Sequence, residues 1–273
     1  MQTVELTLSI DILIPAYKID FLEHTLDCFI NAHKYFDAVQ IIVFCDGENP
    51  KIDKLVHNYP KYKYIKFSEN LGSRSLVAHW MRCIEYSNSD YIWLFSDDDT
   101  IIETELISLL SFFESNKNNK VCYRLRVDRI NQFGIKTRAE SNKILPKDTN
   151  LDGFDLLAPK LNGLIDNVIP NFIFHKNILK SGIKLKEFDL AWMSDDLFWF
   201  DIANEFRITQ LNLHINWRVS GVNISANKQQ VHRKLIPMTI GTFYLLKNAI
   251  ISCKFIFIMN LLKWYAKSLK GLL

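Results

Sequence analysis

Apolar and amphipathic segments alternate along the first part of the chain. Residues 10–14 form a largely apolar run that ends at Pro15, which is typical of a buried strand. Further strand patterns cover residues 38–46, 62–67 and 91–95, and apolar positions recur at helical spacing over residues 19–30, 72–87 and 103–115. Because strands alternate with helices, we predict an α/β fold with a doubly wound, mostly parallel sheet.

Beyond this alternating part, the pattern divides the chain into one large unit and a tail. Residues 121–134 indicate two shorter strands joined by a turn. No internal repeat or low-complexity tract interrupts the chain before about residue 219. We therefore predict one unit over residues 1–218 and a separate tail over residues 219–273.

Polar or turn-forming residues follow three of the predicted strands. Pro15, Ala16 and Tyr17 follow the first strand, residues 45–48 follow the second, and residues 97–99 follow the fourth. Ligands of open α/β sheets bind beyond the carboxyl ends of the strands. We expect these three clusters to meet at one edge of the sheet.

The fourth strand ends in three consecutive aspartates, Asp97, Asp98 and Asp99. Adjacent carboxylates repel each other and resist burial, so a divalent cation is the natural partner of such a run. Oxygen ligands suit a hard ion. The alternative is that Asp99 or Thr100 caps the following helix, but capping needs one carboxylate and not three.

Composition indicates a folded protein with reduced cysteines. The chain has 273 residues, of which 48% are hydrophobic and 23% charged, which is enough for a large core. Its five cysteines show neither CxxC nor zinc-ligand spacing. The first residues lack the pattern of a targeting segment. Together these features predict an intracellular location.

Charge is distributed unevenly along the chain. No Asp or Glu follows Glu205, whereas ten of the 33 Lys and Arg residues do. Lys247 and Lys254 interrupt the apolar runs of the tail, which are therefore shorter than the roughly 20 residues of a membrane span. In its last part, one helical face holds Ile258, Leu261, Leu262, Tyr265, Leu269 and Leu272, and the opposite face holds Asn260, Lys263, Lys267 and Lys270.

This periodicity predicts an amphipathic helix that lies on an anionic membrane surface. The alternative is an ordinary amphipathic helix packed on the main unit or on a partner in a homo-oligomer. A nucleic-acid partner is disfavoured, because the cations alternate with large aliphatic residues.

Five motifs in order resemble the family 2 glycosyltransferases of the GT-A fold. They are DILIPAYK, IIVFCDGEN, ENLGSRS, YIWLFSDDDTI and the distal segment from Phe172 to Ala203 that ends in WMSDDLFWFDIA. The similarity spans about residues 9–205, so the resemblance implies a Rossmann-like GT-A catalytic domain over residues 1–218 with a C-terminal amphipathic helical extension.

The resemblance also implies a reaction. It implies an inverting hexosyl transfer from a nucleotide-sugar donor, most often a UDP-sugar, with Mn²⁺ or Mg²⁺. The implied acceptor is a hydroxyl of a lipid-linked or lipopolysaccharide glycan, as in the synthesis of bacterial surface polysaccharides. The expected location is cytoplasmic, peripheral on the inner face of the cell membrane.

Two acidic motifs supply the implied metal and base residues. Ser96 stands where the family usually has its first aspartate, so the metal ligand is Asp98 first, with Asp97 or Asp99 assisting. The second acidic residue of the distal pair is the family's catalytic base, which maps onto Asp196. Asp195 is then a neighbour that orients or tunes it. The alternative for the pair is helix capping behind Ser194 as N-cap.

The nucleotide site is implied less completely. The matching positions are Pro15, Ala16, Tyr17, Asp46 and Asp97. Cys45 replaces the first of two aspartates, and the arginine expected after ENLG falls on Val77, with Arg74 one helical turn earlier. For the first cluster, a plain strand-ending turn is the alternative.

Two further features leave alternatives open. The segment from residue 215 to 235 contains Arg218, His232, Arg233 and Lys234, and it could close over the diphosphate or the acceptor; we favour a solvated basic linker. His214 is interpreted as structural.

Two other functions compete with sugar transfer. A Mg²⁺-dependent phosphohydrolase would use the aspartate run as a nucleophile loop, but such a loop usually follows the first strand. A non-catalytic, membrane-associated protein that keeps the fold is also open, because Ser96 and Cys45 depart from the family pattern.

Overall fold

The computed structural model describes residues 8–115, 121–220 and 231–272. The strands are β1 Ile10–Ala16, β2 Val39–Asp46, β3 Lys63–Phe67, β4 Tyr91–Leu94, β5 Cys122–Asn131, β6 Lys136–Arg138, β7 Asn150–Leu151, β8 Phe172–His175 and β9 Ile208–Val219. The α-helices are α1 Leu22–Asp27, α2 Pro50–Val56, α3 Leu76–Tyr86, α4 Glu103–Ser115, α5 Gly153–Leu161, α6 Ser194–Phe206, α7 Val231–Ile251 and α8 Phe255–Leu272.

The strands form one mixed sheet in the order β3-β2-β1-β4-β8-β5-β9-β7, with β6 paired to β5. Strands β3, β2, β1 and β4 are parallel neighbours, so their carboxyl ends lie at one edge. The strand order reverses at β1, because β2 and β3 add on one side of it and β4 on the other. Ligands of such sheets bind in the crevice that this reversal opens.

Strand β1 shows why the sheet is buried on both faces. Ile12 and Ile14 belong to the apolar cluster formed with α1, α2 and α4, whereas Leu13 belongs to the cluster formed with α3, α5 and α6. The consecutive apolar residues Ile12, Leu13 and Ile14 suit a strand that has helices on both sides. The predicted doubly wound α/β architecture is confirmed.

The prediction for residues 121–134 was wrong in detail. Two short strands were expected there, but β5 is one strand of ten residues, and the turn comes after Asn131. Strand β5 pairs with β8 on one side and with β9 on the other, so inter-strand hydrogen bonds hold it in one piece. Long-range pairing of this kind is not visible in a local pattern.

The tail packs on the main unit as a pair of helices. Leu245 and Ala249 of α7 and Phe257 and Leu261 of α8 are buried in a third apolar cluster with side chains of α5 and α6. Much of the face of α8 that was predicted to meet a membrane therefore meets protein instead, with Leu261 fully buried and Ile258 half-buried. Within the described ranges, no helix combines the length and apolarity needed to cross a bilayer.

Candidate active site

A cavity of about 700 Å³ opens at the carboxyl edge of β1, β2 and β4. Residues from all the predicted functional motifs line it: Pro15, Tyr17, Asp46, Arg74, Asp97, Asp98, Asp99, Asp195 and Asp196. Ala16 does not line it, because its side chain is fully buried in the core beneath. The fold therefore brings together motifs that lie up to 180 residues apart.

Asp97, which follows β4, contacts the turn that follows β1. Its carboxylate accepts hydrogen bonds from the backbone N–H groups of Tyr17 (2.8 Å) and Lys18 (2.7 Å). Burial raises the pKa of Asp97 to about 6, the neighbouring Asp98 adds to this effect, and the two N–H groups oppose it. Asp97 therefore also fixes the turn that carries Tyr17.

The carboxylates of Asp98 and Asp99 contact different partners. Asp98 lies 3.6 Å from the ammonium group of Lys18, and burial raises its pKa while Lys18 lowers it. Asp99 accepts a hydrogen bond from the backbone N–H of Arg218 (2.8 Å), and burial holds its pKa well above the usual value. Thr100 exchanges backbone hydrogen bonds with Asn216 of β9. Neither Asp99 nor Thr100 therefore caps α4.

The aspartate run by itself is not a complete metal site. Among the described residues, no three His, Cys, Asp or Glu side chains converge on a point that could hold an ion. A Mg²⁺ ion that binds a nucleotide needs only one or two carboxylates, with phosphate oxygens and water as its other ligands. Mn²⁺ accepts the same oxygen ligands. The residues present therefore fit an ion shared with a bound diphosphate and do not form a closed cage.

Asp46 is held by donors from the ENLG segment and α3. Its carboxylate accepts hydrogen bonds from the N–H groups of Leu71 (2.9 Å) and Gly72 (2.8 Å) and forms an ion pair with Arg82. A side chain at Gly72 would meet the Asp46 carboxylate, since a Cβ there would lie 2.5 Å from Oδ2. The first role of Asp46 is thus to position the wall of the cavity.

Sequence reasoning missed Arg82 at this wall. The family position falls on Val77, which is buried in the core, and Arg74 is exposed at the cavity and paired with Glu69. Arg82 stacks on the ring of Phe67, 3.7 Å from its centroid. Its helical spacing from the cavity-lining His79 is the signal that could have identified it.

The distal pair Asp195 and Asp196 lies in the first turn of α6, as predicted. The N-cap is Met193 in a left-handed conformation (φ 70°), so the prediction of Ser194 as N-cap was wrong; its buried hydroxyl has no partner among the described residues. No side chain therefore caps the N-terminus of α6 among the described residues. Both carboxylates remain directed at the cavity.

Lys160 of α5 is the cation that faces this pair, and the sequence analysis had not singled it out. Its ammonium group forms an ion pair with Asp196. Burial and the adjacent charge of Asp196 raise the pKa of Asp195 to about 7, while Lys160 opposes the rise. The pair therefore contains one ion-paired carboxylate and one that is easily protonated near neutral pH.

The basic segment after β9 is not a solvated linker in the part that the structure describes. Arg218 is buried, and its Nε donates to the backbone carbonyl of Asp98 (2.9 Å). Lys234 is buried over the ring of Trp192, and Arg233 lines the cavity, paired with Asp189. His232 is exposed, and residues 221–230 lie outside the described ranges. The favoured prediction for this segment was therefore wrong for Arg218 and Lys234, which are buried, whereas His232 and Arg233 are exposed.

Two other sequence expectations concern residues beside the site. His214 contacts Asp128 (3.1 Å) on the side of β5 and β9, which agrees with a structural role. Ser96 lines the cavity at the position where an aspartate is usual. Trp192, Trp217 and Trp264 add aromatic surface to the wall, and Trp264 belongs to α8. The tail therefore contributes directly to the cavity.

Comparison with known proteins identifies the family. Residues 11–182 match the family model described as glycosyl transferase family 2. The chain belongs to this family. As a family 2 glycosyltransferase, it keeps in one cavity the motifs on which the resemblance was based, and the phosphohydrolase alternative loses its support.

Individual relatives are more distant. The chain is 29% identical over 118 residues to abequosyltransferase RfbV of Salmonella typhimurium strain LT2, an alignment that covers 41% of this chain and 34% of the relative. The matched region is thus about a third of that relative's length.

Solved structures agree on the fold. The crystal structure of S. aureus TarS residues 1–349 in complex with UDP-GlcNAc has a TM-score of 0.67 at 14% identity, covering 88% of this chain and 67% of that one. GalNAc-T7 with UDP, GalNAc and Mn²⁺ has a TM-score of 0.53 at 12% identity, covering 79% and 45%. The GT-A fold is confirmed by these likenesses.

Proposed function

We propose that this glycosyltransferase transfers a sugar, with inversion, from a nucleotide-sugar to a glycan acceptor during bacterial surface-polysaccharide synthesis. The observation that carries the proposal is the convergence of the aspartate run and the distal acidic pair on one cavity of about 700 Å³. Such a volume suits a nucleotide-sugar and part of an acceptor. The curated relative RfbV is named as a transferase of the sugar abequose, which supports the same class of reaction.

We assign the donor to the β1 and β2 side of the cavity. Tyr17 is 60% exposed at the mouth, where its ring can stack on a nucleobase. Lys18 and Arg74 supply positive charge for the diphosphate from the same side. The UDP complexes of TarS and GalNAc-T7 make a UDP-sugar our first choice of donor.

Asp98, with Asp97 or Asp99 assisting, would hold Mn²⁺ or Mg²⁺ against the diphosphate. A divalent ion supplies charge that stabilises the leaving group as the glycosidic bond breaks. The presence of Mn²⁺ in the GalNAc-T7 structure supports this assignment. Asp99, whose carboxylate already accepts from Arg218, is the weaker of the two assisting ligands.

We assign Asp196 as the catalytic base. One of its oxygens accepts from Lys160, which fixes the orientation of the carboxylate, and the other would take the proton of the acceptor hydroxyl. The acceptor oxygen then forms its bond to the anomeric carbon while the bond from that carbon to the diphosphate oxygen breaks, and the electron pair leaves with the diphosphate. This single displacement inverts the configuration and needs no covalent intermediate. Asp195 orients or tunes the base.

We further propose that the acceptor is a lipid-linked or lipopolysaccharide glycan, reached from the cytoplasmic face of the cell membrane. The lysine-rich tail without acidic residues supports contact with anionic lipid. Trp264 lies at the border between this tail and the cavity, where an aromatic surface suits a sugar ring.

The first test is nucleotide binding by calorimetry. We expect UDP to bind in the presence of Mn²⁺ and the affinity to fall at least tenfold in EDTA, with GDP and CDP as matched competitors. Transfer is then measured with a panel of UDP-sugars and a bacterial membrane extract as acceptor source. A UDP affinity that is the same with Mn²⁺ and with EDTA would contradict the proposal, and so would phosphate release without sugar transfer.

A further inference from the structure

The C-terminal helices expose an unusual amount of apolar surface. Among the described residues, more than half of the exposed large apolar side chains belong to α7 and α8. Exposure is greatest at the tip between the two helices, where Ile251, Phe255 and Ile256 are 70%, 72% and 82% exposed. Exposed apolar patches of this kind mark interaction sites in soluble proteins.

The exposed side chains form a stripe on the face of α7 that points away from the protein. Ile236, Ile240, Phe243 and Ile250 follow one another at intervals of four, three and seven residues and are all exposed. Leu245 and Ala249, on the opposite face, are fully buried against α5 and α6. The stripe is therefore separate from the surface that attaches the helix to the enzyme.

Helix α8 continues this outer face and changes from apolar to basic along its length. Phe255, Ile256 and Met259 are exposed in its first turns, and Lys263, Lys267 and Lys270 are exposed in its later turns. Phe257 and Leu261 are buried on its other side. We name the apolar stripe of α7, the tip and the outer face of α8 the hairpin surface.

Charge decides which partner fits the hairpin surface. No acidic residue occurs after Glu205, so its charged groups are all lysines. A second copy of the same surface would bring lysines against lysines, whereas an anionic bilayer offers acyl chains for the apolar tip and phosphates for the lysines. The occupant that matches both properties is an anionic lipid surface.

We infer that the hairpin surface docks the enzyme on an anionic membrane, with the tip inserted among the lipids and the lysines of α8 at the headgroups. The docking face is thus the outer face, and not the helical face that the tail sequence alone suggested. Its value for catalysis rests on the proposed function, because α8 also carries Trp264 into the cavity and so places the acceptor side of the site next to the lipid.

Docking is tested by flotation of the full chain with vesicles, without donor or acceptor, so that its failure is independent of the proposed reaction. The vesicles are pure phosphatidylcholine or phosphatidylcholine with 30% phosphatidylglycerol. We expect binding to the anionic vesicles that weakens with added salt, because screening acts on the lysines. No binding to anionic vesicles at low salt would overturn the inference.

Two sets of substitutions separate insertion from charge. We expect Ile251→Ser with Phe255→Ser and Ile256→Ser to weaken partitioning at least tenfold. Lys263→Gln with Lys267→Gln and Lys270→Gln should weaken it on the order of a hundredfold, since each lysine near an anionic surface contributes about fivefold.

Matched controls lie elsewhere on the surface. Phe133→Ser with Ile135→Ser removes two exposed apolar side chains (76% and 62%) from the turn between β5 and β6. Lys51→Gln with Lys54→Gln and Lys61→Gln removes three exposed lysines on and after α2. Both controls should keep wild-type partitioning, and equal losses in controls and hairpin variants would overturn the inference.

A second measurement covers the case in which a variant does not fold. Hydrogen exchange of the wild-type chain should slow over residues 250–259 when anionic vesicles are added. Light scattering in solution should show a monomer. A dimer abolished by the three tip substitutions, with no protection by vesicles, would assign the hairpin surface to a second copy instead.

Discussion

The two acidic corners of the cavity are built in different ways. Residues 97–99 follow one another after β4, and their carboxylates face donors from two parts of the chain: the N–H groups of Tyr17 and Lys18 with the Lys18 ammonium, and the N–H of Arg218. The distal pair in α6 faces a single ammonium, that of Lys160 in α5.

This difference assigns different tasks to the two corners. In the aspartate run, all three carboxylates line the cavity, and backbone N–H donors hold Asp97 and Asp99 in place, an arrangement that suits a shared ion. In the distal pair, one cation is ion-paired with Asp196 while the pKa of the adjacent Asp195 is raised, an arrangement that suits proton transfer.

Asp98→Ala should have the largest effect. If Asp98 is the principal ion ligand, both Mn²⁺-dependent UDP affinity and transfer should be lost, with transfer reduced about a thousandfold or more. Calorimetry with and without EDTA measures the first and sugar transfer the second. If the UDP affinity of the variant still depended on Mn²⁺, Asp98 would not be the principal ligand of the ion.

Asp196→Asn should separate binding from chemistry. The amide cannot take the acceptor proton, so transfer should fall about 10²- to 10⁴-fold while UDP affinity stays within a few-fold of wild type. Asp195→Asn is the matched control, with a smaller loss expected. Loss of UDP affinity equal to that of Asp98→Ala, or a larger defect in Asp195→Asn, would show that the base is wrongly assigned.

Lys160→Met should shift the pH dependence of transfer. Lys160 forms an ion pair with Asp196 and opposes the raised pKa of Asp195, so its removal takes a positive charge away from both carboxylates. The base is active when deprotonated, and the acidic limb of the kcat/KM profile should therefore move to higher pH, with the largest loss of rate at low pH.

The control for Lys160→Met is Lys186→Met. Lys186 forms an ion pair with Asp201, which lies in α6 as Asp196 does. Its side chain is about as exposed as that of Lys160, but it does not line the cavity. It should leave the pH profile unchanged. A uniform loss of rate at every pH in Lys160→Met would indicate a packing role instead.

The parts of the fold that follow from local chemistry were predictable. Strands β1 and β4 are mostly apolar segments that end in turn or polar residues, and parallel topology places their ends together, so the sequence alone assigns Asp97 and Tyr17 to one edge. The different contacts of the three aspartates could not be predicted from the sequence. They depend on the N–H of Tyr17, 80 residues from Asp97, and on the N–H of Arg218, 119 residues from Asp99.

Tertiary pairing explains what the sequence could not predict. Lys160 and Arg82 are ordinary residues within amphipathic helices, and only the packing of α5 and α3 brings them to Asp196 and Asp46. The tail shows the same limit, since a helical period identifies two faces but not which one meets protein. There Leu261 is buried in one cluster with Phe154 of α5 and Phe200 of α6.

Asp195→Asn should have the smallest effect on catalysis but a measurable one on stability. The pKa of Asp195 is raised to about 7 in the folded protein, above the usual value near 4, so the native state binds a proton more tightly than the unfolded state. The carboxylate therefore costs stability progressively as pH rises from about 4 to 7. Removing it should raise Tm at pH 8 by several degrees, at roughly 2–4 °C per kcal/mol, and change it little at pH 4.

Asp196→Asn should act in the opposite direction on Tm, because it leaves the Lys160 ammonium without its ion-pair partner in a partly buried position. Thermal unfolding of both variants at pH 4 and pH 8 provides the comparison. If Asp195→Asn lowered Tm at pH 8 as much as Asp196→Asn, the two carboxylates would share the Lys160 charge equally, and the asymmetry on which the choice of base depends would be absent.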